Sequence, residues 1–151
     1  MTDGRTTSAG LWRYASEYAN AAAIVANAKG NVFFAPLHFL LGRSIELSLK
    51  GFLLARGTNY SELRGRNYGH DLAALLREAR RRRLGSYCKL QPRQVKAINL
   101  LNEQYATKRH EYIVTGTFSA PETLGLHLTA GQLVRSLEVF CINATYPGLR
   151  T

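Results

Sequence analysis

The chain predicts an all-α fold, an up-and-down helical bundle of about five helices built as one domain. Three observations carry that expectation. Apolar residues recur at helical spacing in several separate stretches. Short connections marked by Gly and Pro separate those stretches. The 151 residues are 46% hydrophobic, enough for one full core but not for two. No internal repeat or low-complexity segment interrupts the pattern. Residues 9–146 are assigned to the domain, with residues 1–8 as a flexible N-terminus and 147–151 as a C-terminal tail. The first eight residues are polar and carry Gly4 and the run Thr6-Thr7-Ser8.

The first helix is expected over Leu11–Lys29, where Leu11, Tyr14, Tyr18, Ala21, Ala22 and Val25 recur at helical spacing and Gly30 supplies a stop. The second, Pro36–Arg56, opens on a proline suited to a first turn. Its apolar residues cover most of its circumference, which places it at the centre of the bundle, and Gly57 closes it. A short helical turn fits within Thr58–Arg66. The third long helix, His70–Arg83, has Asp71 placed to cap it and the stripe Leu72, Leu75, Leu76 and Ala79, with Gly85 as its C′ residue. The fourth spans Pro92–Lys108, with Val95, Ile98, Leu101, Asn102 and Tyr105 toward the core. The stretch 109–128 breaks the periodicity. Its β-type Tyr112, Ile113 and Val114, followed by Gly116, Pro121 and Gly125, suggest a loop or a small irregular hairpin around 110–128. Thr129 is expected to cap a last helix that Pro147 and Gly148 end.

Charge narrows the function. Twenty Lys and Arg stand against ten Asp and Glu, a net charge of +10. Such a balance attracts RNA, nucleotides or acidic proteins, and equally keeps a protein dissolved. No stretch is long and apolar enough for a spanning helix, and no leader pattern opens the chain, so a cytoplasmic protein without membrane contact is expected. Two cysteines, Cys88 and Cys141, suit a reducing compartment better than a disulfide scaffold. The histidines are dispersed without metal-ligand spacing, and neither a phosphate loop nor a serine elbow is present, so no metal and no cofactor is expected.

Two segments stand out together: Glu46-Leu47-Ser48-Leu49-Lys50-Gly51 and Tyr68-Gly69-His70-Asp71-Leu72, the latter followed by Leu75 and Leu76. A later stretch carries Asn102, Tyr105, Lys108 and Tyr112. The combination, over roughly residues 37–115, resembles the HEPN family. The resemblance implies an up-and-down helical bundle, often a homodimer. It also implies one of several roles: a metal-independent ribonuclease, a toxin–antitoxin component, or an inactive nucleotide- or RNA-binding module. Catalytic members carry an Arg followed after a short spacing by a His near the start of a late helix. Here Arg64 and His70 have five residues between them, but the pair precedes the third long helix.

Two sets of site residues follow. If the chain is a ribonuclease, His70 is the general acid or base and Arg64 the phosphate ligand. Metal-independent cleavage needs a proton acceptor for the ribose 2′-OH and positive charge for the phosphate. Alternatively, His70 hydrogen-bonds its loop or pairs with Glu46. For ligand binding the candidates are Lys50, Arg66, Tyr68, Arg77, Arg80, Arg81, Arg82 and Arg83. Five arginines within seven positions at 77–83 are the densest cationic feature, either a phosphate-binding surface or a solvated helix end. Lys50 meets a phosphate or is satisfied by Glu46 four residues earlier. Tyr60 and Tyr68 either stack on bases or close the core. The leading expectation is an accessory HEPN-like module that binds an anionic partner as a homodimer. The alternative is the ribonuclease.

Overall fold

The computed structural model describes residues 5–28, 34–106 and 123–149. Among these the protein is helical throughout, with six α-helices and no strand. They are α1 (Ser8–Asn27), α2 (Phe34–Ala55), α3 (Tyr60–Arg64), α4 (Leu72–Arg81), α5 (Pro92–Tyr105) and α6 (Thr123–Thr145).

α2 occupies the middle, packing on α1, α4, α5 and α6, while α1 and α6 also pack on each other. Its sequence explains that position. Leu41, Ile45, Leu49, Phe52 and Leu53 are fully buried, and Leu37 and Leu47 nearly so. A helix that is apolar nearly all round is stable only when surrounded. Around it, α4 contributes Leu72, Leu75, Leu76 and Ala79, α5 contributes Ile98 and Leu101, and α6 contributes Leu126, Ala130, Leu133 and Leu137. Polar ties fix the helices in register. The Ser44 hydroxyl donates to the Ala15 carbonyl at 2.8 Å, the Trp12 indole N–H to the Val134 carbonyl at 2.7 Å, and the Ala9 N–H to the Thr145 hydroxyl at 2.9 Å. Cys88 and Cys141 are free and buried.

Several boundaries differ from the sequence expectation. α1 begins at Ser8, earlier than Leu11, because the Thr7 hydroxyl accepts the Gly10 N–H at 3.0 Å and caps it. Ser8 is buried rather than part of a flexible end. α4 begins at Leu72 with Asp71 as its cap, the carboxylate accepting the Ala74 N–H at 3.0 Å, so His70 lies in the connection before the helix. The left-handed residue after α4 is Arg83, at φ 69°, and not Gly85, which sits in a short 3-10 turn at Leu84–Ser86. α5 ends at Tyr105, short of Lys108.

The largest correction concerns α6. It starts at Thr123, so Thr129 is an interior helical residue and not a cap. The Thr129 side chain is fully buried, and its hydroxyl donates back to the Gly125 carbonyl at 2.8 Å. Burial of Leu126 and Ala130 on the core holds this first turn in helix despite Gly125. Residues 107–122, the greater part of the expected hairpin, lie outside the described residues, as does Gly30.

Candidate functional site

The best-defined polar site is built around one carboxylate. Glu46 sits on the central helix and is fully buried. An ionised carboxylate in the interior is stable only when charges and hydrogen bonds surround it, and four side chains do so. The Arg43 guanidinium, one turn earlier on α2, binds Oε2. The Lys50 ammonium, one turn later, lies 3.6 Å from the same oxygen. On the other side, His70 Nδ1 is 2.6 Å from Oε1, and the Tyr105 hydroxyl donates to Oε1 at 3.2 Å. A carboxylate accepts only, so Nδ1 carries the proton and donates, leaving Nε2 as the second ring nitrogen.

Local structure places each partner. Arg43, Glu46 and Lys50 fall at i−3, i and i+4 on α2, which puts them on one face. His70 is held by the connection before α4, whose start is clamped to α5. The Asn102 side chain accepts the Leu72 N–H at 2.7 Å and donates to the Asp71 carboxylate at 3.0 Å. Tyr105 reaches in from the end of α5. Its ring stands edge-on to His70 and tilted against Phe39. It also lies directly over Gly42, where an added Cβ would approach ring atom Cδ2 to 2.6 Å. Glycine at that position is therefore a requirement of the Tyr105 packing.

Exposure divides the cluster. The Glu46 side chain is 0% exposed and Lys50 7%, whereas Arg43 is 31% and His70 39% exposed. The acid is hidden, and basic groups emerge on two sides. Burial lowers the Lys50 ammonium from its ordinary range, with Glu46 opposing. The Tyr105 phenol is raised well above its ordinary range, first by burial and then by the Glu46 charge, so it remains a donor. Arg43 also leans over the Tyr18 ring, its guanidinium carbon 5.9 Å from the centroid.

The arginine run is a second, separate feature. Arg81 grips Glu78 with two N–H groups at 2.8 and 2.6 Å, and Arg82 adds a third bond at 3.0 Å. Together they hold the Glu78 carboxyl at about 2, below its usual value. Arg82 and Arg56 also exchange side-chain bonds to each other's carbonyls, at 3.1 and 3.2 Å, fastening the end of α2 to the end of α4. Arg77 and Arg80 instead line a cleft of about 540 Å³ with Ala73, Leu76, Val95 and Asn99, between α4 and α5. Arg83 is exposed.

His70 and Lys50 are thus brought together around Glu46. Arg64 lies over the Tyr60 ring at 5.5 Å, Arg66 is exposed, and Tyr68 is half-buried against the core. Sequence reasoning anticipates Glu46 with Lys50 and Glu46 with His70. It misses Arg43, whose i−3 spacing to Glu46 is the available signal, and the Tyr105 hydroxyl, which is 59 residues away and has none. Among the described residues no His, Cys, Asp and Glu cluster could hold a metal ion, and no helix is long and apolar enough to cross a membrane.

No protein-family model, curated protein or solved structure matches this chain.

Proposed function

We propose that this chain is a cytoplasmic, HEPN-like accessory module that binds RNA as a homodimer. The observation that carries the reading is the character of the α4 face. Over positions 77–83 five arginines face a single acid, Glu78. Two of them, Arg77 and Arg80, border an open cleft rather than that acid. Phosphates are the ligands such a surface attracts most strongly, and each one neutralised releases counterions. For the dimer, α6 carries support: Leu124, Leu128 and Val139 are more than half exposed and follow one helical stripe, and the exposed Tyr146 follows the helix end. The test is the salt dependence of binding to a single-stranded RNA. Replacing both Arg77 and Arg80 by alanine is expected to flatten the log–log slope by about 1.4, roughly 0.7 for each phosphate that is no longer neutralised. An unchanged slope would remove this face from the reading and leave an acidic protein as the partner to pursue.

One observation favours a second reading, a metal-independent ribonuclease. A fully buried Glu46 orients the half-exposed His70 through Nδ1, the arrangement in which a carboxylate fixes an imidazole so that Nε2 can move a proton. Cleavage of RNA without divalent metal, lost in His70→Ala while binding persists, would establish it. Absence of cleavage by the folded natural chain would leave the binding module.

A further inference from the structure

The cleft between α4 and α5 holds more than the two arginines that RNA would use. The helices are tied at one end, where the Asn102 side chain accepts the Leu72 N–H at 2.7 Å. Beyond that tie lies a cleft of about 540 Å³, walled by Ala73, Leu76, Arg77 and Arg80 of α4 and by Val95 and Asn99 of α5. Pockets that hold a small ligand are commonly of this volume. Its floor is aliphatic: Leu76 is 2% exposed, and Ala73 and Val95 are half-buried. Its rim is cationic and polar: Arg77, Arg80 and Asn99 are exposed.

Two contrasts define the ligand. The first is with the neighbouring arginines. Arg81 and Arg82 are engaged by Glu78, whereas Arg77 and Arg80 have no acid partner among the described residues. They stand three positions apart on α4, so both forks reach the same rim. A guanidinium takes a carboxylate through two parallel N–H bonds, and the Asn99 amide adds a further donor. The second contrast is with a nucleic-acid strand. None of the six lining residues is aromatic, so a base has no ring to stack on here, and a phosphate gains nothing from an aliphatic floor. A ligand that uses rim and floor together has a carboxylate head and a short aliphatic body.

We propose that this cleft binds an aliphatic carboxylate, its head held by Arg77, Arg80 and Asn99 and its hydrocarbon lying over Leu76, Val95 and Ala73. A free medium-chain acid and the C-terminal carboxylate of a peptide ending in an aliphatic residue share that chemistry. Such a ligand has only the two arginines in common with RNA, and an occupied cleft withdraws them from a phosphate.

Calorimetric titration of the full chain with octanoate, acetate and octanamide tests the proposal. Octanoate is expected to bind at least about tenfold more tightly than acetate, which lacks the body, or octanamide, which lacks the charge. From butanoate to octanoate, affinity should rise about two- to fourfold per methylene, the upper figure corresponding to full burial. Arg77→Ala and Arg80→Ala alter exposed side chains and should each weaken octanoate about tenfold. Val95→Thr keeps the shape of a half-buried side chain but puts a hydroxyl in the floor. It should weaken octanoate about fourfold and leave the salt slope for RNA unchanged. Tight octanoate binding beside an RNA slope indifferent to Arg77 and Arg80 removes RNA from this face and leaves the carboxylate site standing. Displacement of octanoate by an acetylated dipeptide ending in leucine, but not by its amide, identifies a peptide terminus as the source, and failure to displace it identifies the free acid. Equal binding of octanoate and acetate, or indifference of octanoate to the arginine variants or to Val95→Thr, would overturn the proposal.

Discussion

Two parts of this molecule gather several basic side chains around one acid, and they do so in opposite ways. At the centre, Glu46 is fully buried and its partners come from α2, the connection before α4, and α5. At the end of α4, Glu78 sits near the surface and its partners, Arg81 and Arg82, come from the same helix. In the first case the acid is what makes the buried cations tolerable. In the second, solvent already hydrates the cations, and the acid only orders them. Burial, rather than the number of ion pairs, therefore decides which cluster the fold depends on.

Removing each acid exposes the difference. Glu46→Ala leaves the buried Lys50 without its counter-charge and the part-exposed Arg43 without its partner, and is expected to destabilise by about 3–5 kcal/mol, read by chemical denaturation. Glu78→Ala should lower Tm by at most about 3 °C. Equal losses would mean that the Glu46 cluster is better hydrated than its burial implies. Between these extremes lies Gly42→Ala. The added methyl meets the Tyr105 ring, which Phe39 and His70 flank, so the ring cannot simply turn aside. A loss of about 1–3 kcal/mol is expected, together with displacement of the Tyr105 hydroxyl from Glu46. A neutral substitution would show that the ring has room the packing does not reveal. The smallest effect is in pH. The Arg81 and Arg82 bonds depress Glu78 from 4.5 to about 2. Its contribution is therefore complete above about pH 4.5 and disappears as pH falls toward 2. The stability gap between the natural chain and Glu78→Gln should close over that window, and a gap that persists at pH 2 would contradict the pairing.

The same contrast explains what is legible in the sequence. α2 and α4 can be read directly, because an all-round apolar helix and a clean Leu72, Leu75, Leu76, Ala79 stripe each admit one placement. Asp71 can be read as a cap because capping acts within a single turn. Thr7 carries a similar local signal, a hydroxyl just ahead of the periodic residues, but the polar run Thr6-Thr7-Ser8 reads equally well as an unstructured end. The start of α6 misleads because Gly125 argues locally for a break, while the burial of Leu126 and Ala130 that overrides it is a tertiary fact. The α2 half of the Glu46 site follows from helical spacing. The Tyr105 half does not, since nothing in the chain announces that a tyrosine on α5 lies across Gly42.

The two thiols have a practical consequence. Burial pushes Cys141 up to about 12, and burial also raises Cys88, opposed there by hydrogen bonds from Ser136 and Gln132. Alkylating reagents attack the thiolate and need access to it, so both native cysteines should stay silent toward a maleimide while the chain is folded. A single cysteine introduced at an exposed position would then take up a fluorophore or spin label alone, giving a site-specific reporter on an otherwise wild-type background.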